Sequence, residues 1–360
     1  EGRARWVQPP EATEDLGRDD HKGTLAVEKN LYDFGRTASL EQAAAADIKA
    51  SNWRYLGTVA QRRVRIMDAF FDVLLADLRF ARDNEEMAVV FVSLDKLRDR
   101  HELGQVSDID LLELESEYQR VRRQRALSGN QQRIARARLA ALLNAPDQLP
   151  SNVVEPRLSQ LDRQAPTFEQ AWSRVEANNY YLNALRADVA SAQERVAAAR
   201  ATAGPRLNGE LEASAYSREL GSNDTWRAGV NLVVPLYTGG SVDAAVAREN
   251  ADLHETRALL RQSEYKLKQQ VLELVMQLQA FEVKQDESWA RQDYRELYLD
   301  RSRAIYEMEV KTDLGDAMVR LTEADLLAAR TRFEAALAWE QLDALAGGGL
   351  TDEREDGEAE

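Results

Sequence analysis

The chain has 360 residues, 44% hydrophobic and 30% charged, with no cysteine, three histidines and 47 Lys+Arg against 62 Asp+Glu, so its formal net charge is −15. Without cysteine there is no disulfide framework, thiolate nucleophile, zinc finger or iron–sulfur cluster, and the acidic balance argues against nucleic acid as a partner. No stretch approaches ~18 consecutive apolar residues, so no transmembrane helix is expected, although a transmembrane β-barrel would lack such a run too. The chain opens at Glu1 without a Met, a basic n-region or an apolar h-region. No signal peptide is visible, which leaves a cytoplasmic protein and a processed or truncated chain both open.

Taken in chain order, residues 1–38 read as a β-hairpin. Arg3 and Arg5 alternate with Ala4 and Trp6, and Leu25, Val27 and Leu31 alternate with Ala26, Glu28 and Asn30, the period-2 mark of a strand with two different faces. The period then becomes helical over residues 39–145, with Val64, Met67, Phe71, Leu74 and Leu78 on one seam and only Gly57 interrupting the first stretch. One helix over residues 39–101 would be ~95 Å long at 1.5 Å per residue, and must pair with other helices along its length. The polar break Gly104-Gln105-Val106-Ser107-Asp108 leads to a second helix over about residues 108–144, carrying Ile109, Leu112, Ile134, Leu139 and Leu142. So short a break suits an antiparallel helix hairpin.

Pro146, Pro150, Pro156 and Pro166 punctuate a linker over residues 146–166. Thr167 with Gln170 offers a capping box for one helix over residues 167–204, closed by Gly204-Pro205. Residues 205–238 read as a second β-hairpin. In its first strand Arg206, Asn208, Glu210, Glu212 and Ser214 alternate with Leu207, Leu211, Ala213 and Ala215. After a turn-rich stretch from Ser217 to Asp224, Trp226, Ala228, Val230, Leu232, Val234 and Leu236 share a face opposed by Arg227, Gly229 and Asn231. Residues 239–346 read as a second long helical hairpin, with Leu253, Leu260, Leu267, Leu274 and Phe281 every seven residues and Val271 and Leu278 between them, an a/d-type seam. Glu309-Val310-Lys311-Thr312-Asp313 is its break. Residues 347–360, mostly acidic, read as a disordered tail.

The two halves are related. Asn30-Leu31-Tyr32-Asp33-Phe34-Gly35 matches Pro235-Leu236-Tyr237-Thr238-Gly239-Gly240 at an offset of 236 − 31 = 205. The same offset carries Asp47 onto Asp252, His101-Glu102-Leu103 onto Tyr306-Glu307-Met308, and Ser107-Asp108 onto Thr312-Asp313. A period of that length is too long for a solenoid and reads as a duplicated, domain-sized unit.

Signals of chemistry are scarce. His101-Glu102 and His254-Glu255 lack the second histidine of a metallohydrolase helix, Gly347-Gly348-Gly349 lacks the lysine of a phosphate loop, and no nucleophile elbow occurs. The chain therefore reads as a non-enzyme, with no cofactor and no metal site expected.

Gly204-Pro205-Arg206-Leu207, Trp226-Arg227-Ala228-Gly229-Val230 and Pro235-Leu236-Tyr237-Thr238-Gly239-Gly240 resemble the second-repeat strands of the TolC-like outer-membrane efflux and secretion channels. Glu102 to Asp110 resembles the first periplasmic tip of that family, and the resemblance covers roughly residues 1–346. It implies a mainly α fold with a small transmembrane β part: a homotrimer whose chains close a twelve-stranded barrel in the outer membrane, continued across the periplasm by an α-helical barrel. On that reading Leu207, Leu211, Trp226, Val230, Leu232 and Val234 face outer-membrane lipid, and Arg206, Asn208, Glu210, Glu212, Arg227 and Asn231 line the lumen.

The family also implies docking of a periplasmic adaptor (membrane fusion) protein at the tips, and an inner-membrane pump or ABC transporter beyond it. Carried over, the first tip is Gly104, Gln105, Val106, Ser107 and Asp108, and the second is Glu309, Val310, Lys311, Thr312 and Asp313. Glu309 stands where the family usually has Gly, which puts the register of this tip in question by one residue. Acidic residues after the tip form a cation-binding constriction in some members. Here Asp316 matches best and Asp313 second, with Val319 at the next acidic position and Arg320 placed as a partner. The alternative for Asp316 is an ordinary helix N-terminal acid favoured by the dipole.

Applying the offset to the helix over residues 167–203 places its counterpart at −38 to −2, so the chain is expected to be shortened at its N-terminus or divergent. The function implied is a passive exit duct for efflux or type I secretion, in the outer membrane and extending into the periplasm. The alternative is a soluble elongated coiled-coil scaffold, which would not need the duplicated hairpin.

Overall fold

The computed structural model describes residues 2–6, 19–148, 153–216, 224–308 and 313–348. The expected turn from Ser217, Pro150 of the linker, the second tip from Glu309 to Thr312 and most of the acidic tail lie outside the described residues. The chain divides into two compact units, one of residues 1–53 with 183–262 and the other of residues 54–182 with 263–360.

The first unit holds a four-stranded antiparallel sheet in the order β1 (Gly2–Trp6), β2 (Asp19–Tyr32), β3 (Arg206–Tyr216), β4 (Trp226–Val233). The two hairpins, far apart in sequence, join through β2 and β3, with Lys22 opposite Tyr216 and Asn30 opposite Asn208. A register shift falls between Asn30 and Tyr32. The duplicated Leu-Tyr motif is the hinge from strand to helix. After β2, Phe34 and Gly35 take φ of 55° and 91°; before the second long helix, Gly239 and Gly240 take 60° and 79°. That left-handed region disfavours side chains bearing a Cβ, which accounts for the glycines in both copies. Asp33, almost wholly buried, accepts hydrogen bonds from the Thr37 amide and hydroxyl and from Asn30, and so caps the helix start.

The helices are α1 (Arg36–Glu102), α2 (Asp108–Leu142), α3 (Phe168–Asn178), α4 (Tyr180–Ala201), α5 (Ser241–Glu307) and α6 (Leu314–Leu345). Both α1 and α5 contain 67 residues. Their starts and ends are offset identically, 241 − 36 = 205 and 307 − 102 = 205, so the duplication seen in sequence is a duplication of structure.

The second unit is helical. Its main core joins Phe71, Leu74 and Leu75 of α1 to Leu326, Ala329, Phe333 and Ala336 of α6, and the Phe71 and Phe333 rings stack 4.6 Å apart. Buried alanines along α6, among them Ala317, Ala324, Ala328 and Ala335, allow close backbone approach. The α5 seam is buried at Leu253, Leu267, Val271, Leu274, Leu278 and Phe281, while Leu260 is half-buried.

Two expectations need correction. The single helix over residues 167–204 is two helices, although the Thr167–Gln170 capping box forms. Asn179 breaks it: its side chain accepts from the Leu182 amide and donates to the Leu345 carbonyl, 2.9 Å away. The strand containing Val234 and Leu236 ends at Val233, paired with Arg206. Pro205 directly precedes Arg206 and Pro235 lies two residues past Val233, and neither has an N–H to extend the ladder. On α2, Leu139 is buried, but Ile109, Leu112 and Ile134 are exposed.

Candidate functional site

The register of the sheet sorts its side chains into two faces. Leu207, Leu211 and Ala213 stand opposite Leu232, Ala228 and Trp226 on β4; Leu211 and Ala213 also stand opposite Val27 and Leu25 on β2. This face is apolar and open, with Leu25 72%, Trp226 71%, Val230 65% and Leu232 64% exposed. Such an exposed apolar surface exceeds the scattered residues of an ordinary soluble domain.

The other face carries all six residues assigned to the lumen. Arg206, Asn208, Glu210 and Glu212 alternate with the apolar set, and Asn231 and Arg227 lie opposite Asn208 and Glu212. They are linked across the strands. Lys22 Nζ lies 3.0 Å from Glu212 Oε1, Asn208 donates to Glu28 at 3.1 Å and Asn231 donates to Glu210 at 3.4 Å. Glu212 also accepts from the Ser214 hydroxyl. Of the six apolar candidates, Leu207, Leu211, Trp226, Val230 and Leu232 share the open face, and Val234 lies one residue past β4.

The residues expected to form the first tip, Gly104 to Asp108, form a hydrogen-bonded turn. The Gln105 amide donates to the Arg100 carbonyl and the Gly104 amide to that of His101, with Gly104 at φ 71°, the bonding of a Schellman helix end. Val106 follows, and Ser107 caps α2 through a reciprocal box with Asp110. The Ser107 hydroxyl and amide hold the Asp110 carboxyl below its ordinary pKa. His101 Nε2 and Asp108 Oδ1 close the turn at 2.6 Å, and Arg98 pairs with Glu115 at 2.8 Å behind it.

At the start of α6, Asp313 is the N-cap residue without a side-chain cap, and Asp316 lies in the first turn with its side chain largely exposed. Arg320 Nε lies 3.5 Å from Asp316 Oδ1, and its Nη1 lies 3.3 Å from Glu323 Oε2. Arg320 thus holds Asp316 on one side and Glu323 on the other. Among the described residues no helix is long and apolar enough to cross a membrane.

The outer membrane efflux protein family matches residues 171–348. The chain is 24% identical over 258 residues to the protease secretion protein PrtF of Dickeya chrysanthemi, a match covering 67% of this chain and 54% of the relative. It therefore spans about half the length of that relative. Its fold is similar to the outer membrane protein VceC of Vibrio cholerae, with a TM-score of 0.74, 15% identity, and 97% of this chain and 86% of that one covered. It is also similar to the CmeC outer membrane channel of Campylobacter jejuni, with a TM-score of 0.80, 14% identity, and 97% and 76% covered. These likenesses share one architecture, and the family match itself spans the second half of the chain, residues 171–348.

Two groups in this TolC-like fold were not signalled by the sequence. Asp343 and Glu340 of α6 are buried acids facing Arg163 and Arg63. Burial pushes the Asp343 carboxyl up to about 6 against the pull of Arg163, and its Oδ1 has no hydrogen-bond partner. The second group is a cavity walled by arginines of α1, α5 and α6. Its members are spread over some 250 positions, so only the packing of three helices unites them.

Proposed function

We propose that the chain is the outer-membrane exit duct of a tripartite efflux pump or a type I secretion system, a passive homotrimeric channel opened at its periplasmic tips by an adaptor and an inner-membrane partner. The observation that carries this reading is the sheet: one face apolar and exposed, one face polar and cross-linked, with β1 and β4 as its outer strands. Unpaired strand edges are not tolerated in lipid. Four strands cannot close a barrel, whereas three copies supply twelve. The apolar face then meets lipid, and Arg206, Asn208, Glu210, Glu212, Arg227 and Asn231 line the lumen.

The tip from Gly104 to Asp108, together with the second from Glu309 to Thr312, docks the adaptor. The exposed Ile109 and Leu112 beside the first tip support a protein contact there. Threefold symmetry would gather Asp316, with Asp313 behind it, into a ring of carboxylates. Their mutual repulsion disfavours full ionisation unless cations or Arg320 compensate. The secretion role in the name of PrtF favours an inner-membrane ABC transporter as partner, and the family name favours an efflux pump; both partners engage the duct in the same way.

The test is reconstitution in planar bilayers. Discrete, long-lived conductance steps are expected, and Asp316→Ala should raise conductance or weaken block by divalent cations. Protein that inserts no pores would contradict the duct, and an unchanged Asp316→Ala pore would remove that residue from the gate.

A further inference from the structure

We propose that a cavity in the helical unit is a binding site for a compact multivalent oxyanion, carrying two or more phosphate-, sulfate- or carboxylate-type groups. The cavity, of about 580 Å³, is lined by Arg79 and Arg82 of α1, Arg291 and Arg295 of α5, and Arg320 and Arg330 of α6, with Glu323 the one acid among its walls. Its volume falls within the range of small-molecule sites.

Three of the six guanidinium groups are already matched. Arg82 bonds Asp83 through Nε at 2.9 Å, Arg291 pairs with Glu287, and Arg320 lies between Asp316 and Glu323. Of the other three, Arg79 acts electrostatically on Asp72 and Arg295 lies over the Tyr294 ring, 5.1 Å from its centroid, while Arg330 lines the same wall. In a chain with 62 acids against 47 bases, six guanidiniums converging on one concavity with a single acid in its wall are not an effect of composition.

The remaining wall is apolar and includes Ala324 and Leu326, which belong to the buried side of α6. A low-dielectric wall strengthens the field of the charges above it. Neighbouring like charges repel unless an anion intervenes, and the guanidinium fork matches oxyanions in bidentate geometry. A polyanion would satisfy groups fixed on three separate helices at once, whereas a single halide could not bridge them.

The site does not depend on the chain conducting, so its test is separate from that of the duct. Pyrophosphate is titrated calorimetrically into the detergent-extracted protein, and melting is followed in pyrophosphate and in sodium chloride of equal ionic strength. Saturable binding of one pyrophosphate per chain is expected, with a rise in Tm beyond that in chloride. Arg295→Gln with Arg330→Gln should weaken binding by at least about tenfold, and Arg330→Lys should weaken it less. Arg248→Gln, on an exposed stretch of α5 outside the cavity, should leave it unchanged. Absence of saturable binding by the wild-type protein up to about 10 mM, or equal binding by the wild type and the double variant, would overturn the proposal. Arginine variants that dissociate the oligomer while the wild type binds no pyrophosphate would make the cavity a seat for carboxylates of a neighbouring copy instead.

Discussion

Gly315 in the first turn of α6 lies so close to Val89 of α1 that a Cβ built on it would stand 2.6 Å from Val89 Cγ1 and 2.9 Å from Cγ2. No real Cβ tolerates such contacts, so this end of α6 is seated on α1 by the lack of a side chain. Gly315→Ala should force the turn carrying Asp316 away from α1 and destabilise the protein by about 1–3 kcal/mol. Val89→Ala removes the colliding methyl groups and should restore most of that loss in the double variant. Denaturation of the two single variants and the double variant measures this coupling; simple additivity would contradict it.

Asn179 sets the junction of α3 and α4 by bonding both the Leu182 amide and the Leu345 carbonyl from a buried position. Asn179→Ala leaves both backbone groups without their partner and should cost about 1–3 kcal/mol. Asn179→Asp, which keeps the acceptor but loses the donor to Leu345, should also be destabilising at neutral pH. Thermal melts of the purified protein decide the matter; an unshifted Asn179→Ala melt would show that water replaces the side chain at no cost.

Asp343 makes stability depend on pH. Its carboxyl is raised from its ordinary 3.8 to about 6 in the folded chain, first by burial. The folded state therefore holds this proton more tightly than the unfolded state. The associated stability is fully present below about pH 4 and is lost as pH rises through about 6. Asp343→Asn should flatten that segment of the stability profile and stabilise the protein at neutral pH by roughly 1–2 kcal/mol, allowing for solvent screening. Arg163, 3.9 Å from Asp343 and over the Trp339 ring, opposes the shift, so Arg163→Ala should steepen the fall. A wild-type profile already flat between about pH 4 and 6 would contradict the assignment.

The two faces of the sheet should respond differently to charge. Val230→Arg places a cation on the apolar face and should cost about 2–4 kcal/mol near the middle of a bilayer, seen as loss of protein from the outer-membrane fraction. Glu210→Gln on the polar face should leave membrane insertion intact and reduce cation over anion selectivity in bilayers. If both variants insert equally well, the faces have been assigned to the wrong solvents.

Much of this was legible in the residues themselves. The offset of 205 between the two Leu-Tyr motifs reappears in the starts and ends of α1 and α5, because the glycines that turn strand into helix fix where each helix begins. Period-2 alternation placed Arg206, Asn208, Glu210 and Glu212 on one face, since side-chain direction in a strand follows directly from spacing. The break at Asn179 was not legible: its cause is the carbonyl of Leu345, 166 residues away, and the flanking residues suit a helix. Nor could periodicity separate Leu139, buried within the chain, from Ile134, which is exposed; an apolar stripe does not state whether its partner is the same chain or another. The arginine cavity stayed hidden because its walls come from three helices, and on each the arginines resemble an ordinary solvated face.

The most direct test of the duct is the mass of the species extracted from outer membranes in mild detergent, measured by native mass spectrometry. With a chain mass of 40.6 kDa, the open sheet predicts a complex of three copies that survives removal of bulk detergent and is recovered only with the membrane fraction. A monomer or dimer that stays soluble without detergent would contradict a barrel closed by three chains.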